Sequence, residues 1–172
     1  MDKATEWRYR KTISFLSKHC QAPQKILDLG TINPLSNMMK DNGYDVINTK
    51  GENLDVDFQS VMSHDFDLIT AFEIFEHMLA PFNILKHIKS KKLIASVPLK
   101  LWFSNAYWNE SDEWDKLYHE FEVKQFNLLL ERTNWNIVYS EKWKPYRKLD
   151  FGIRPILRMF TNRYYIVYCE RN

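Results

Sequence analysis

The sequence has little of several features that identify particular protein classes. Its two cysteines, Cys20 and Cys169, lack the spacing of a metal site and indicate no disulfide framework, so we expect a reducing, cytoplasmic location. No apolar run is long enough to span a membrane, and the N-terminal MDKATEWRYRK lacks the apolar core of a secretion signal. The net charge of +2 is too small to indicate nucleic-acid binding by itself.

The remaining composition is that of an ordinary globular protein, with 45% hydrophobic and 27% charged residues in a chain of 172. This length favours a single domain over residues 1–172. Aromatic residues are frequent, at 15% of the chain. Residues 141–172 are locally basic, which indicates a solvated basic face more readily than a site for an anionic ligand.

Apolar periodicity and turn residues predict an alternation of helices and strands. We expect an N-terminal helix within residues 1–22, and further helices after Asn33, from about Pro81 to Lys89 and over residues 123–134. The residues expected to face the core on the first and third helices are Tyr9, Ile13, Leu16, Cys20, Phe82, Leu85 and Ile88. The predicted strands are KILDL, YDVINT, FDLITAF, KLIASVP, NIVYS and YYIVYC. This order predicts an α/β fold with a mostly parallel sheet and helices on both faces.

The stretch ILDLGTINP, residues 26–34, joins a buried strand to an acid and a single glycine. In open α/β sheets the ligand lies outside the carboxyl ends of the strands, so this turn is the first candidate site. Gly30 permits a positive φ and a close backbone approach, whereas we expect the branched Ile32 to close part of that approach. The proline after Asn33 has no amide to donate, but Thr31 and Asn33 offer side-chain hydrogen bonds. We therefore expect a weakened but usable turn.

Four motifs in this order resemble the class I S-adenosylmethionine-dependent methyltransferases, and the match runs from about Lys25 to Tyr168. ILDLG is similar to their first motif, FDLITAFEIFEHM to the fourth-strand motif and KLIASVP to the fifth strand. YHEFEVKQFNLLLERTNWNIV is similar to the helix and strand that follow. The glycine-rich first motif is degenerate, because Gly30 is not followed by a second glycine at Ile32, and Lys50 lies near the place of the usual ribose-binding acid.

The resemblance implies a doubly wound, mostly parallel, Rossmann-like sheet of about six to seven strands, with the last strand antiparallel. It also implies S-adenosylmethionine as the cofactor and S-adenosylhomocysteine as its product. On this basis Asp28 binds the ammonium group directly or through water, Glu52 the ribose, Asp55 the adenine amino group and the Val56 amide the adenine ring. Asn48 and Thr49 are weaker candidates for the ribose, and Asp57 is the alternative to Asp55. Asp28 as a cap of its own turn, and Glu52 as a surface acid, are the structural alternatives. The full predicted cofactor set is Asp28, Gly30, Thr31, Asn33, Glu52, Asp55, Val56, Phe72 and Glu73.

The resemblance places residues 99–119 at the mouth of the site as an aromatic, substrate-side insertion, although its rings could equally pack on one another or face a partner. The rings in this segment are Trp102, Phe103, Tyr107, Trp108, Trp114 and Tyr118. His119 is the best candidate for a catalytic base because imidazole titrates near neutral pH, with Tyr118 and His77 as further candidates. Structural capping is the alternative for both histidines. Glu73 and His77 are four residues apart at an expected helix start and can share a face, but no metal is expected because they lack a third ligand.

The resulting hypothesis is a methyltransferase acting on a small-molecule acceptor that is cyclic or lipid-like. The first alternative is a methyltransferase-like binding or regulatory domain without turnover, which the altered first motif motivates. A nucleic-acid methyltransferase is the weaker alternative, because the sequence has no Asn/Asp-Pro-Pro-Tyr motif for amino groups of bases. The sequence does not indicate the oligomeric state.

Overall fold

The fold is a six-stranded sheet with helices on both faces. The computed structural model describes residues 1–104, 108, 110–111, 116–146, 157 and 160–171. The strands are β1 Lys25–Asp28, β2 Asp45–Asn48, β3 Leu68–Phe72, β4 Lys92–Pro98, β5 Asn136–Trp143 and β6 Tyr164–Glu170. The α-helices of this part of the chain are α1 Lys3–His19, α2 Pro34–Asp41, α3 Pro81–His87 and α4 Val123–Arg132.

The strands lie in the order β2-β1-β3-β4-β6-β5. The four strands from β2 to β4 are parallel, and β6 runs antiparallel between β4 and β5. This confirms the predicted sheet, including its antiparallel last strand. The chain moves outward from β1 to β2 and then returns to the other side of β1 with β3, so the strand order reverses between β1 and β3. The carboxyl ends of these two strands, Asp28 and Phe72, therefore flank the expected ligand position.

Alternate residues of the central strands pack into two separate hydrophobic cores, one on each face of the sheet. Leu27 and Ile69 pack with α3 and α4 on one face, whereas Ile26 and Leu68 pack with α1 and α2 on the other. A strand that is covered on both faces needs a continuous apolar run, and LITAF and LIASV provide it. No helix among the described residues is long and apolar enough to cross a membrane.

Local signals set the start of α2 as expected. The Asn33 side chain accepts from the amides of Leu35 and Ser36 at 2.9 and 3.0 Å, and Pro34 occupies the first helical position. These bonds satisfy amides that have no partner inside the helix. The turn after β1 and the helix that follows it are thus fixed by neighbouring residues in the sequence.

Two details of the prediction are wrong. Phe82 was expected to face the core, but it is 40% exposed and lies beside the Lys86 ammonium, 5.9 Å from the ring centroid. The apolar face of the short helix α3 is instead formed by Ile84 and Leu85. The segment from Glu73 to His77 was expected to start a helix, but only Phe75–His77 form a single 3-10 turn, because Glu73 has a φ of 57°.

Candidate functional site

Asp28 is a buried carboxylate at the centre of the carboxyl edge, only 2% exposed. Its two oxygens accept from the Thr70 hydroxyl of β3 at 2.6 Å and from the Asn48 side-chain amide at the end of β2 at 3.0 Å. Burial raises the pKa of Asp28 to about 6, although both hydrogen bonds oppose the shift. Asp28 is therefore held by the two strands that flank β1, and it is ionised at neutral pH.

Gly30 makes the turn after β1 possible. Its φ is 107°, and a Cβ at this position would lie 3.2 Å from Cδ1 of Ile74. The Gly30 amide donates to the Thr49 hydroxyl at 2.7 Å, which ties the turn to the end of β2. Ile32 is 68% exposed, so its side chain lies on the surface of the turn, and the expectation that it closes part of the approach at Gly30 stays a prediction.

A cavity of about 50 Å³ lies beside Asp28, between α1 and the carboxyl ends of β1, β3 and β4. Four of the predicted cofactor residues line it, namely Asp28, Asn33, Phe72 and Glu73. The Asn33 side chain is already engaged, because its oxygen caps α2 and its nitrogen donates to the Thr31 carbonyl at 3.2 Å. The volume is enough for a few water molecules.

The predictions from sequence missed Arg8 of α1, which lines the same cavity. Its Nη1 lies 3.5 Å from Oε2 of Glu73, and the two side chains are 27% and 17% exposed. The other Glu73 oxygen accepts from the Ser96 hydroxyl of β4 at 2.8 Å. One signal was present in the sequence: Arg8 directly precedes the apolar stripe that begins at Tyr9, and thus belongs to the edge of the buried face of the helix.

Glu73 is an acid in an unfavourable backbone conformation. Its φ of 57° lies in the left-handed region, which a residue with a Cβ seldom adopts. Burial raises the pKa of Glu73, and the Arg8 guanidinium opposes this shift. Glu76 is 1% exposed, and burial together with the charge of Glu73 raises its pKa well above the ordinary value. The carboxyl end of β3 thus carries two acids in a region of low polarity.

The residues predicted to bind adenosine lie together in an open turn after β2. Both Asp55 oxygens accept from main-chain amides before α3, from Leu79 at 3.0 Å and from Ala80 at 2.7 Å. The Val56 amide donates to the Asn53 carbonyl at 3.1 Å, and its side chain is 73% exposed. Glu52 accepts from the Lys50 amide at 2.6 Å. Each of these polar groups therefore already has a partner within the chain.

The three predicted acceptor-side residues converge on the 3-10 turn of residues 75–77. Nδ1 of His77 lies 3.0 Å from the Lys116 carbonyl, and the amides of Tyr118 and His119 both donate to the Glu76 carbonyl. Nε2 of His119 lies 3.3 Å from the Leu79 carbonyl. These contacts bring the candidates together, but both imidazoles face main-chain oxygens.

Several sequence predictions concern residues outside those described, including Tyr107 and Trp114 of the aromatic segment. Of its described rings, Trp102 is 75% exposed and packs edge-on against Phe103, while Trp108 packs edge-on against Tyr118. Within the described part of the chain, no group of three or more His, Cys, Asp or Glu residues is arranged to hold a metal ion.

Solved structures with a similar fold include several S-adenosylmethionine-dependent methyltransferases. One from Archaeoglobus fulgidus superposes with a TM-score of 0.65 at 13% identity, covering 96% of this chain and 94% of that one. The 1,6-didemethyltoxoflavin N1-methyltransferase of Burkholderia thailandensis, with bound S-adenosylhomocysteine, gives 0.60 at 15% identity, with coverages of 95% and 78%. No protein-family model and no curated protein matches the sequence.

A third similar structure is the phosphoethanolamine N-methyltransferase 2 of Haemonchus contortus in complex with S-adenosylmethionine. It gives a TM-score of 0.62 at 10% identity, with coverages of 94% of this chain and 52% of that one. The chain thus has the class I S-adenosylmethionine-dependent methyltransferase fold. At these identities the similarity establishes the fold alone, and the site's own residues carry the argument about function.

Proposed function

We propose that this chain is an S-adenosylmethionine-dependent methyltransferase that acts on a small-molecule acceptor. The observation that carries this proposal is the pairing of Asp28 with the Gly30 turn at the point where the strand order reverses. A buried acid beside a turn that has no space for a Cβ is suited to an ammonium group and to a ligand that approaches the backbone closely.

The chain's own residues fit the two ends of the cofactor. Asp28 offers a carboxylate to the ammonium group and Arg8 a guanidinium to the carboxylate of the methionine end, since both side chains line the cavity. Glu52 and Asp55 are the proposed acceptors for the ribose hydroxyls and the adenine amino group. When bound, the cofactor supplies a methyl group on a positively charged sulfur, which a nucleophile displaces in line.

On the acceptor side, His119 is the proposed base, with Tyr118 and His77 positioned beside it. An oxygen or nitrogen nucleophile loses a proton as it is methylated, and a neutral imidazole can take that proton. Because the Leu79 carbonyl can only accept, its 3.3 Å contact with Nε2 of His119 favours the tautomer that has the proton on Nε2. Nδ1 is then the nitrogen that takes the proton of the acceptor.

The proposal is tested by calorimetric titration of the purified chain with S-adenosylmethionine and S-adenosylhomocysteine, with an Asp28→Ala variant as the control. We expect micromolar binding that the substitution abolishes while circular dichroism shows an unchanged fold. Release of S-adenosylhomocysteine in the presence of a panel of small acceptors then reports turnover. Binding without turnover for any acceptor supports the regulatory alternative, and a folded chain that binds neither compound contradicts both.

The proposal includes a single domain over residues 1–172 in the cytoplasm. Cys20 and Cys169 are both buried as free thiols, and burial raises the pKa of Cys169 to about 12, so this thiol is unreactive at neutral pH. Free thiols of this kind suit a reducing compartment. Fractionation of the native host cells, followed by detection of the chain in each fraction, tests the location.

A further inference from the structure

The ion pair between Arg8 and Glu73 bridges α1 and the end of β3 at the wall of the cavity. The cavity of about 50 Å³ holds only a few water molecules. The ion pair is a polar contact that joins α1 to the end of β3, so breaking it would let the cavity widen to admit a larger group.

The two halves of α1 are held very differently. Thr12, Ile13, Phe15 and Leu16 of the C-terminal half are buried. Within residues 3–10, all of which the structure describes, no side chain is buried. In the N-terminal half, Trp7 and Tyr9 are only partly buried where they pack against this core, and the Arg8 guanidinium contacts Glu73 and lies over the rings of Tyr9 and Tyr164 at 5.5 and 5.7 Å. Movement of this half therefore disturbs less of the core than movement of the C-terminal half.

The pair also has the charges that an amino-acid group requires. Arg8 presents a cation and Glu73 an anion side by side at the wall of the cavity, and Asp28 supplies a second carboxylate. A ligand with both an ammonium and a carboxylate can replace each partner of the ion pair with a group of the same sign. Such an exchange leaves no buried charge unpaired, whereas a ligand without charges leaves the pair as it is.

We propose that the N-terminal half of α1 is a lid over the site, closed by the Arg8–Glu73 ion pair, and that the amino-acid end of the ligand exchanges with this pair. The ligand's carboxylate pairs with Arg8, and its ammonium group pairs with Glu73 and Asp28. The lid closes again over the bound ligand. This inference rests on the proposed function, because it assigns the ligand's amino-acid end to the cavity.

The test compares two probes that share the adenosine and the thioether sulfur. S-adenosylhomocysteine has the amino-acid end, and 5′-methylthioadenosine does not. In Arg8→Met we expect the affinity for S-adenosylhomocysteine to fall about 10- to 100-fold, the loss of a charge-assisted bond. The affinity for 5′-methylthioadenosine should change less than about threefold, since that probe makes no bond of this kind. Arg10→Met is the matched control, because within the described part of the chain Arg10 pairs with Glu6 alone, on the exposed side of the same helix.

Hydrogen exchange measures the lid itself. In the wild type we expect the amides of residues 3–10 to exchange more slowly with saturating S-adenosylhomocysteine than with saturating 5′-methylthioadenosine. If the ion pair is purely structural and the ligand does not replace it, both probes should protect these amides equally. Equal protection, or an unchanged ratio of the two affinities in Arg8→Met, overturns the inference while leaving the proposed cofactor in place.

The remaining outcomes are also decisive. Arg8→Lys keeps the charge but not the planar guanidinium, and we expect it to restore part of the preference for S-adenosylhomocysteine even if Arg8→Met folds poorly. If the folded wild type binds neither probe, the proposed function is contradicted, and so is the proposal that the ligand replaces the Arg8–Glu73 ion pair. That result is distinguishable from binding of both probes with no dependence on Arg8.

Discussion

The two ends of the candidate cofactor site are built in different ways. At the methionine end, Asp28 is 2% exposed and its bonds come from β2 and β3, while Arg8 approaches from α1. At the adenosine end, Glu52, Asp55 and Val56 lie in one turn, and Val56 is 73% exposed. The first end depends on strands brought together by the fold, and the second on a local turn fastened to α3 by one carboxylate. We therefore expect substitutions at the first end to change stability and binding together, and those at the second to have a smaller effect on stability.

The largest effect is expected at Gly30. In Gly30→Ala, a φ of 107° and the 3.2 Å approach of Ile74 both oppose the new methyl group. We expect a loss of about 2–4 kcal/mol in the free energy of unfolding, measured in urea, and loss of S-adenosylhomocysteine binding. A second substitution, Ile74→Val, removes the Cδ1 atom and should recover the steric part of the loss but not the part due to φ.

Gly43→Ala is the control for Gly30→Ala, because it introduces backbone strain at a glycine outside the site. Its φ is 88°, and a Cβ would meet only the Ala22 Cβ at an ordinary 3.6 Å. This control should cost about 1–2 kcal/mol and leave ligand binding unchanged. Equal losses of binding in both variants would show that Gly30 acts through global stability and would remove its distinction from the rest of the chain.

The next effect is a change in the pH dependence of stability at Asp28. The pKa of about 6 in the folded state is above the ordinary value of 3.8, so the folded state holds the proton more tightly. The free energy of unfolding therefore falls as pH rises from about 4 to 6, by up to about 3 kcal/mol from this group. Asp28→Asn should flatten this part of the profile and be the more stable form near pH 8, while binding S-adenosylhomocysteine more weakly.

The measurement for Asp28 is thermal and urea unfolding between pH 4 and 8, in parallel with calorimetry. Glu73 and Glu76 also have raised pKa values, so the difference between wild type and variant isolates Asp28. Asn48 can accommodate the new amide, since its buried Oδ1 has no partner among the described residues. Identical pH profiles would mean that Asp28 is not the proton-binding group, and unchanged binding would leave it with the turn-capping role alone.

The sequence predicted the parts of this comparison that rest on local or periodic signals. The strands, the cap at Asn33 and the glycine at position 30 follow from patterns within a few residues. The Arg8–Glu73 pair does not, because it depends on the rotation of α1 on the sheet and on the left-handed φ of Glu73. The hydrogen bonds that Asp55 and Val56 already make could not be predicted from the sequence either, since the hydrogen bonds of this turn depend on how it docks against α3.

A smaller effect is expected at Asp55. Asp55→Asn keeps one oxygen for the two amides of Leu79 and Ala80 but replaces the other with a donor, so we expect a cost of about 1–2 kcal/mol. Because both probes contain adenosine, their affinities should fall by the same factor, unlike in Arg8→Met. A loss confined to S-adenosylhomocysteine would show that this turn does not bind adenosine. Asp57→Asn is the matched comparison on the same turn, where the carboxylate accepts from the Gln59 amide and from no other group among the described residues. A larger loss of affinity in Asp57→Asn would favour Asp57 as the adenine-binding acid.

The smallest effect is expected at Val56. Its side chain is 73% exposed, so Val56→Ala should leave the free energy of unfolding within about 0.5 kcal/mol of wild type. If the turn covers the adenine ring, the loss of two methyl groups should weaken both probes equally, by less than about 15-fold, because each methyl group contributes at most about 0.8 kcal/mol when it is buried. Val138→Ala on β5, where the side chain is 43% exposed, is the control that should change neither stability nor binding. Unchanged affinity in Val56→Ala, with a loss in Asp55→Asn, would limit the adenosine end to the carboxylate and the main chain of the turn.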